Sequence, residues 1–297
     1  MDIVDVRQSE GWTEYLKMYD WKLLKLTKGS VIRLKPTFLG TIAKLQRPTQ
    51  LINSDLNEID NLCKENKVAL LKLEPNIDQN INLIKEHAFV KIGCPYLATK
   101  TLCINLKKEE KELWNDLAHN ARRSIKRSKT AGVKVVEVST NKPELKKFYG
   151  VLRDAGRKKG FYVQSFNELK NKSEAFNHNA HLLNAYDKNG NLCSSQFYLA
   201  FNNNAWSLHG ATTEEGKKNN AGYLLLWKAI LLFKQMGYGS VDLEGLYDER
   251  YPRFTKNWDS FSSYKRKFGG EVVTFPETYT KFFSNPFKWL SALGFSI

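Results

Sequence analysis

The sequence predicts an α+β protein with mixed α/β sheets. Strand-like and helix-like segments alternate along 297 residues, a length that suits one large domain or two of ordinary size. Between Leu182 and Ala211 three strand-like runs follow one another with only tight turns between them. After this meander comes a helix-like segment apolar on nearly every side, Tyr223 to Met236, and then another strand.

Each element has its own signal. Val31 to Leu34 and Val68 to Leu73, the latter closed by Glu74-Pro75, read as strands. Leu51 to Asn66 reads as a helix with Leu56, Ile59, Leu62 and Cys63 on one face. Ile81 to His87 is a shorter helix, and Thr101 to Leu106 a strand. From Lys108 to Lys129 the pattern predicts one charged helix, because Leu113, Trp114, Leu117, Ala121 and Ile125 form a single stripe. Gly132 stops it, at a position that glycine favours after a helix. Val133 to Val138 is a strand that opens a second unit, and Pro143 to Lys159 a helix. The meander strands are Leu182 to Asp187, Leu192 to Phe201 and Ala205 to Ala211, with turns at Lys188-Asn189-Gly190 and Asn202-Asn203-Asn204. Gly237 ends the buried helix, and Ser240 to Glu244 is the next strand.

Composition bounds the function. No window reaches the roughly 18 consecutive apolar residues of a membrane span, and Met1 to Asp5 lacks the start of a secretory signal. The four cysteines form no C-x-x-C pair and read as reduced thiols of a cytoplasmic protein. His178 and His181 lack a third ligand, so no metal site is expected. A serine–histidine–aspartate order with a nucleophile elbow is absent. The net charge of +15 points to a polyanionic partner or to a solvated basic surface.

Four segments carry candidate chemistry. The loop Thr212 to Gly222 feeds the N-terminus of the buried helix, a natural anion site. On the strand from Ser240, period-two geometry puts Asp242 and Glu244 on one face, about 7 Å apart. Such a pair shares a proton and makes a base, or else Asp242 makes a structural hydrogen bond and Glu244 meets a cation. In Tyr264-Lys265-Arg266-Lys267-Phe268-Gly269-Gly270 the aromatics flank the cations, so a lysine is expected against an apolar wall, where it serves an oxyanion or a phosphate. Arg122, Arg123, Lys126 and Arg127 crowd the end of the charged helix, as a solvated basic end or an anion-binding surface. His209, in the last meander strand, is the histidine closest in sequence to the loop and the one candidate substrate contact among the five, with a structural role as the alternative.

Several blocks resemble the FemABX aminoacyltransferases of the GNAT superfamily. Gly11 to Tyr15 with Trp21 resembles the family's tryptophan-containing opening, and Thr101 to Leu106 its strand ending in Asp-Leu, here Asn105-Leu106. Asn120 to Val135 is similar to K-x-R-x-x-I-x-x-A-x-x-x-G-V-x-V. Tyr223 to Ile230, then Gly237, Asp242 and Gly245, resembles Y-x-L-x-W-x-x-I…G…D-x-x-G, and Tyr264-Lys265 with Phe268-Gly269 the F-K-x-x-F-G close. The pyrophosphate cradle Q/R-x-x-G-x-G/A of CoA-dependent GNAT enzymes is not in the loop; only Gly222 remains.

The resemblance implies two GNAT-like acyltransferase domains, residues 1–131 with 275–297 and residues 132–274, without a coiled-coil arm. It implies transfer of an amino acid from aminoacyl-tRNA to an amine of a peptidoglycan precursor stem peptide, with no cofactor, by a monomer in the cytoplasm or at the inner membrane face. Lys265 then stabilises the tetrahedral intermediate, and Asp242 is the protein's candidate base. Arg157 occupies a motif arginine position, Lys17 falls near a lysine that contacts precursor phosphate, and Gln164 stands where FemX-like members carry a phosphate-binding arginine. Ser207 and His209 replace tyrosines of the meander strand, and Tyr223 opens the helix block as a further substrate contact. Arg122, Arg123, Lys126 and Arg127 are candidates for tRNA or lipid phosphates. The aromatic tail Pro286 to Phe295 is expected to pack on the first domain, or to touch a membrane. The rival readings are an acyl-CoA-dependent N-acyltransferase on a sugar or polysaccharide precursor and a non-catalytic basic binding protein.

Overall fold

A computed structural model describes residues 4–38 and 40–284; the tail from Pro286 lies outside the described residues. The chain divides into two compact units, Met1–Lys100 with Tyr247–Lys256 and Val273–Ile297, and Thr101–Leu246 with Asn257–Val272. Residues 101–131, expected with the first domain, fall in the second unit instead. The reason is pairing: Cys103, Ile104 and Asn105 lie antiparallel to Asp242, Val241 and Ser240.

The first unit begins with helix α1 (Glu10–Lys17), capped by the Ser9 hydroxyl accepting from the Trp12 amide. Strands β1 (Lys22–Lys25), β2 (Val31–Thr37), β3 (Gly40–Gln46), β4 (Val68–Glu74) and β5 (Val90–Lys91) follow, with α2 (Asn53–Glu65) and α3 (Ile81–Glu86) between them. The sheet is completed by the last strand among the described residues, Tyr279–Phe282, which inserts between β4 and β5. Ile32, Leu34, Ala43, Leu45, Leu71 and Leu73 form its core with Leu56 and Ile59 of α2. The alternate positions of the same strands mix apolar Val31, Ile42 and Leu70 with cations. Arg33, Lys44 and Lys72 stand side by side across the sheet. The Lys44 and Lys72 ammonium groups lie 3.7 and 4.2 Å from the centre of the Tyr96 ring. Burial lowers the pKa of both lysines, and Glu74 opposes that shift.

The second unit opens on β6 (Lys100–Asn105). The single helix expected over residues 108–129 is two, α4 (Glu110–Asp116) and α5 (His119–Thr130). Leu117 and Ala118 between them are extended, and the Ala118 amide donates to the Lys267 carbonyl instead of to its own helix. The apolar stripe survives the break, because Leu113, Leu117, Ala121 and Ile125 all enter one core. Gly132 follows with φ +77°, the left-handed turn that glycine takes without strain.

Strand β7 (Lys134–Val138), α6 (Lys142–Lys159) and α7 (Phe166–Phe176) lead to the meander β8 (Ala180–Tyr186), β9 (Leu192–Phe201) and β10 (Asn204–Thr212). A short helix α8 (Glu214–Lys218) precedes α9 (Ala221–Gln235), and β11 (Ser240–Asp242) follows. Helix α9 is apolar on most sides because it is covered on most sides: Leu224, Leu225, Leu226, Trp227, Ile230 and Phe233 are buried, and Lys228 is exposed. The unit closes with α10 (Asp259–Arg266) and β12 (Glu271–Thr274), and its sheet runs β12-β6-β11-β10-β9-β8-β7. Strands β10 and β11 are parallel and pair only over Asn204–Trp206 and Ser240–Asp242. β10 continues past the end of β11 to Thr212 along β9, with a bulge between Ser207 and His209.

Among the described residues no helix is long and apolar enough to cross a membrane, and no group of three His, Cys, Asp or Glu side chains could hold a metal ion. The approach of α8 to β9 admits no side chain at Gly216. A Cβ there would stand 2.1 Å from the Cys193 carbonyl oxygen. Gly216→Ala is therefore expected to cost about 1–3 kcal/mol, as a lowered melting temperature.

Candidate active site

Lys265, the candidate oxyanion donor, lies in the last turn of α10. Its ammonium donates to the Glu244 carbonyl at 2.5 Å and to the Gly245 carbonyl at 2.9 Å. The Phe261 ring, one helical turn back, lies 4.7 Å away and supplies the apolar wall. Burial pushes the ammonium down from 10.5 to about 8, against the opposing pull of the Glu244 and Asp242 carboxylates.

The shared strand face expected for Asp242 and Glu244 is not there. The strand ends at Asp242, and Glu244 and Gly245 take φ values of +52° and +35°. Period two applies only while the backbone stays extended. The Asp242 carboxylate instead accepts from the Glu244 amide at 2.6 Å and from the Thr101 hydroxyl. Cys103, opposite Asp242 on β6, bonds to the same carboxylate, and burial and that acid push its thiol well up. Buried Cys63 is likewise pushed up to about 12 by burial, so neither is a ready thiolate.

Tyr223 starts α9 and stands in an aromatic cluster. Its ring packs edge-on to Tyr264 at 4.9 Å and stacks on Phe268 at 5.9 Å. The Tyr223 hydroxyl accepts from Lys267 at 3.2 Å, and the Tyr264 hydroxyl donates to the Gly222 carbonyl at 2.7 Å. Tyr264-x-x-x-Phe268 thus ties Lys265 and Lys267 to the start of the buried helix.

His209 and Gln164 form a second group. Gln164 is buried and its carbonyl oxygen accepts from the buried Lys172 ammonium. The side-chain nitrogen of Gln164 and Nε2 of His209 are buried without a hydrogen-bond partner. Burial, reinforced by Lys172, pushes His209 down to about 3, so the ring is neutral at physiological pH. Arg157 is exposed on the last turn of α6. On α5, Ala121, Ile125 and Ser128 face inward, while Arg123, Lys126 and Arg127 are exposed and Arg122 is half-buried. Lys17 belongs to the first unit, exposed and paired with Glu14 at 2.6 Å. His181, three residues after His178, bonds Glu137 at 2.7 Å.

Sequence reasoning missed Thr101, Phe261, Lys172 and Trp258. Phe261 carried a usable signal, four residues before Lys265 on a helix. Thr101 carried none, since only sheet pairing brings it to Asp242.

Residues 115–253 match the family model for the acetyltransferase (GNAT) domain. The solved structure of FemX superposes with a TM-score of 0.83 at 14% identity, over 96% of this chain and 94% of that one. Residues 115–253 are thus similar to a GNAT domain, and the chain has a FemX-like fold. The same fold extends to the C-terminal domain (DUF2156) assigned to lysylphosphatidylglycerol synthetase from Agrobacterium fabrum, with a TM-score of 0.67 at 11% identity over 98% of this chain and 92% of that one. It extends also to L-PGS from Bacillus licheniformis, with 0.61 at 11% over 93% and 89%. No curated protein matches the chain. Within this FemX-like fold, Asp242 ends β11, and Tyr264, the neighbour of Lys265, bonds to Gly222 at the start of α9.

Proposed function

We propose that this chain is an aminoacyltransferase that moves an amino acid from aminoacyl-tRNA to an amine of a peptidoglycan precursor stem peptide, nucleotide- or lipid-linked. The seat of Lys265 carries the reading: a cation held by two carbonyls of the Glu244–Gly245 turn and a ring, so that its third N–H donor is left for a substrate oxygen. The acceptor nitrogen attacks the ester carbonyl and forms the new C–N bond. Lys265 stabilises the oxyanion, which collapses by breaking the bond to the tRNA ribose oxygen. The proton lost by the amine ends on that oxygen. Neutral His209 and the buried Gln164 amide offer donors to the acceptor, with Tyr223 and Arg157 as further contacts. The acceptor places the reaction in the cytoplasm or at the inner membrane face.

Arg122, Arg123, Lys126 and Arg127 serve tRNA phosphates in this reading. Replacing all of them with glutamine is expected to weaken tRNA binding and to flatten its salt dependence. The slope should fall by about 0.7–0.9 for each phosphate that is no longer neutralised. Titrations at several salt concentrations check this, and an unchanged slope would remove these residues from the interface.

A second acceptor, an anionic glycerol phospholipid, is favoured by the fold shared with the lysylphosphatidylglycerol synthetase domain. An acyl-CoA donor is disfavoured, because the loop lacks the glycine-rich pyrophosphate cradle and part of it is folded into α8. Purified protein with labelled aminoacyl-tRNAs and each acceptor, beside Lys265→Ala, tests the proposal. Label moving to the stem peptide with the unaltered protein alone supports it. Label in phospholipid selects the second acceptor, and no transfer to any acceptor overturns both.

A further inference from the structure

We propose that Asp242 is a positioning residue that fixes Lys265 through the Glu244–Gly245 turn. This rests on the reading of Lys265 as the oxyanion donor. The chain of contacts starts at β6, where Thr101 and Cys103 both bond to the Asp242 carboxylate. From there the same carboxylate takes the Glu244 amide at 2.6 Å. Glu244 is then held in the left-handed region at φ +52°, where a glutamate stays only when something secures it.

Gly245 continues the turn at φ +35°, and a Cβ there would stand 3.1 Å from the Trp258 ring. Only this tight left-handed pair turns two successive carbonyls toward the same ammonium, at 2.5 and 2.9 Å. An ammonium has three N–H donors. Two are spent on the turn, so the turn dictates where the third one points. Asp242 lies one step behind, with its oxygens committed to an amide, a hydroxyl and a thiol. That occupancy suits a brace better than a group that must collect a proton from substrate.

The charges acting on the ammonium are the carboxylates of Glu244 and Asp242, and its helix neighbours Arg266 and Lys267 add positive charge on α10. Asp242→Asn keeps an oxygen for the Glu244 amide and loses the charge. Asp242→Ala loses both. The two variants therefore separate geometry from charge.

The experiment labels amines of the full chain competitively with acetic anhydride from about pH 6 to 10.5 and reads Lys265 by peptide mass spectrometry, without substrate. The unaltered protein is expected to show a midpoint at about 8. Asp242→Asn should lower that midpoint, because a stabilising negative charge is gone, and should retain most transfer with its alkaline limb moved by the same amount. Asp242→Ala should raise the midpoint toward the ordinary lysine value of about 10.4 as the side chain leaves its seat, and should lose transfer. Thr101→Val, which removes one donor to Asp242, should shift the midpoint in the same direction by less and stands in if Asp242→Ala does not fold. Midpoints unchanged in the Asn and Val variants would overturn the proposal. Equal loss of transfer in Asn and Ala with an unmoved midpoint would do the same and make Asp242 a proton acceptor. Shifts as expected in a protein that transfers nothing would uphold the positioning role and discard the aminoacyl reading.

Discussion

Lys265→Ala is expected to lower aminoacyl transfer by about 10²–10³-fold, the usual loss when one donor to a developing oxyanion is removed. Lys265→Arg should not rescue it, because a planar guanidinium cannot reproduce an ammonium spanning two carbonyls beside the Phe261 ring. The same residue sets a pH limit. Only the protonated amine donates, so transfer should fall as pH rises through about 8. The stability consequence has the opposite sense. The folded protein holds this lysine at about 8 against 10.5 for the ordinary side chain, so seating the charged form costs stability below pH 8. That cost fades between the two values. Stability relative to Lys265→Ala should therefore improve on going from pH 7 to pH 10 while activity is lost. Transfer rates and urea unfolding at both pH values check the pair of signs, and parallel movement would contradict them.

Phe233→Ala is expected to remove about 3–5 kcal/mol of stability. Phe233 is fully buried on α9 and meets Tyr198 at 5.0 Å, His181 at 5.3 Å and Tyr238 at 5.7 Å, each edge-on or nearly so. Truncation opens a cavity that neither the sheet nor the helix can close without moving the other. Urea unfolding followed by tryptophan fluorescence measures it. A loss below about 1 kcal/mol would mean that the core collapses easily around α9. The start of α9 carries Tyr223, so transfer should weaken even where the variant stays folded.

The meander and the buried helix were legible because their signals are local. Asn189-Gly190 is a hairpin turn wherever it occurs, and a segment such as Leu224-Leu225-Leu226-Trp227 must be covered on most sides. An apolar wall for a lysine was expected from Tyr264 and Phe268, but the ring against Lys265 is Phe261, one helical turn back. The break at Leu117-Ala118 was not legible, because the apolar stripe runs through it and the amide that ends the helix finds its partner at Lys267, far along the chain.

The sequence by itself determined the three meander strands, the enclosed helix and the run of basic and aromatic residues from Tyr264 to Phe268. These follow from side-chain period and turn chemistry, which act over a few residues. Only the tertiary structure decided what Asp242 and Glu244 do. Their spacing promised two carboxylates on one strand face, but the strand ends at Asp242 and the chain turns left-handed. A backbone turn of that kind is stabilised by Thr101 and Cys103 from a strand some 140 residues earlier. Contacts of such separation leave no period in a sequence, and they set where the Lys265 ammonium sits.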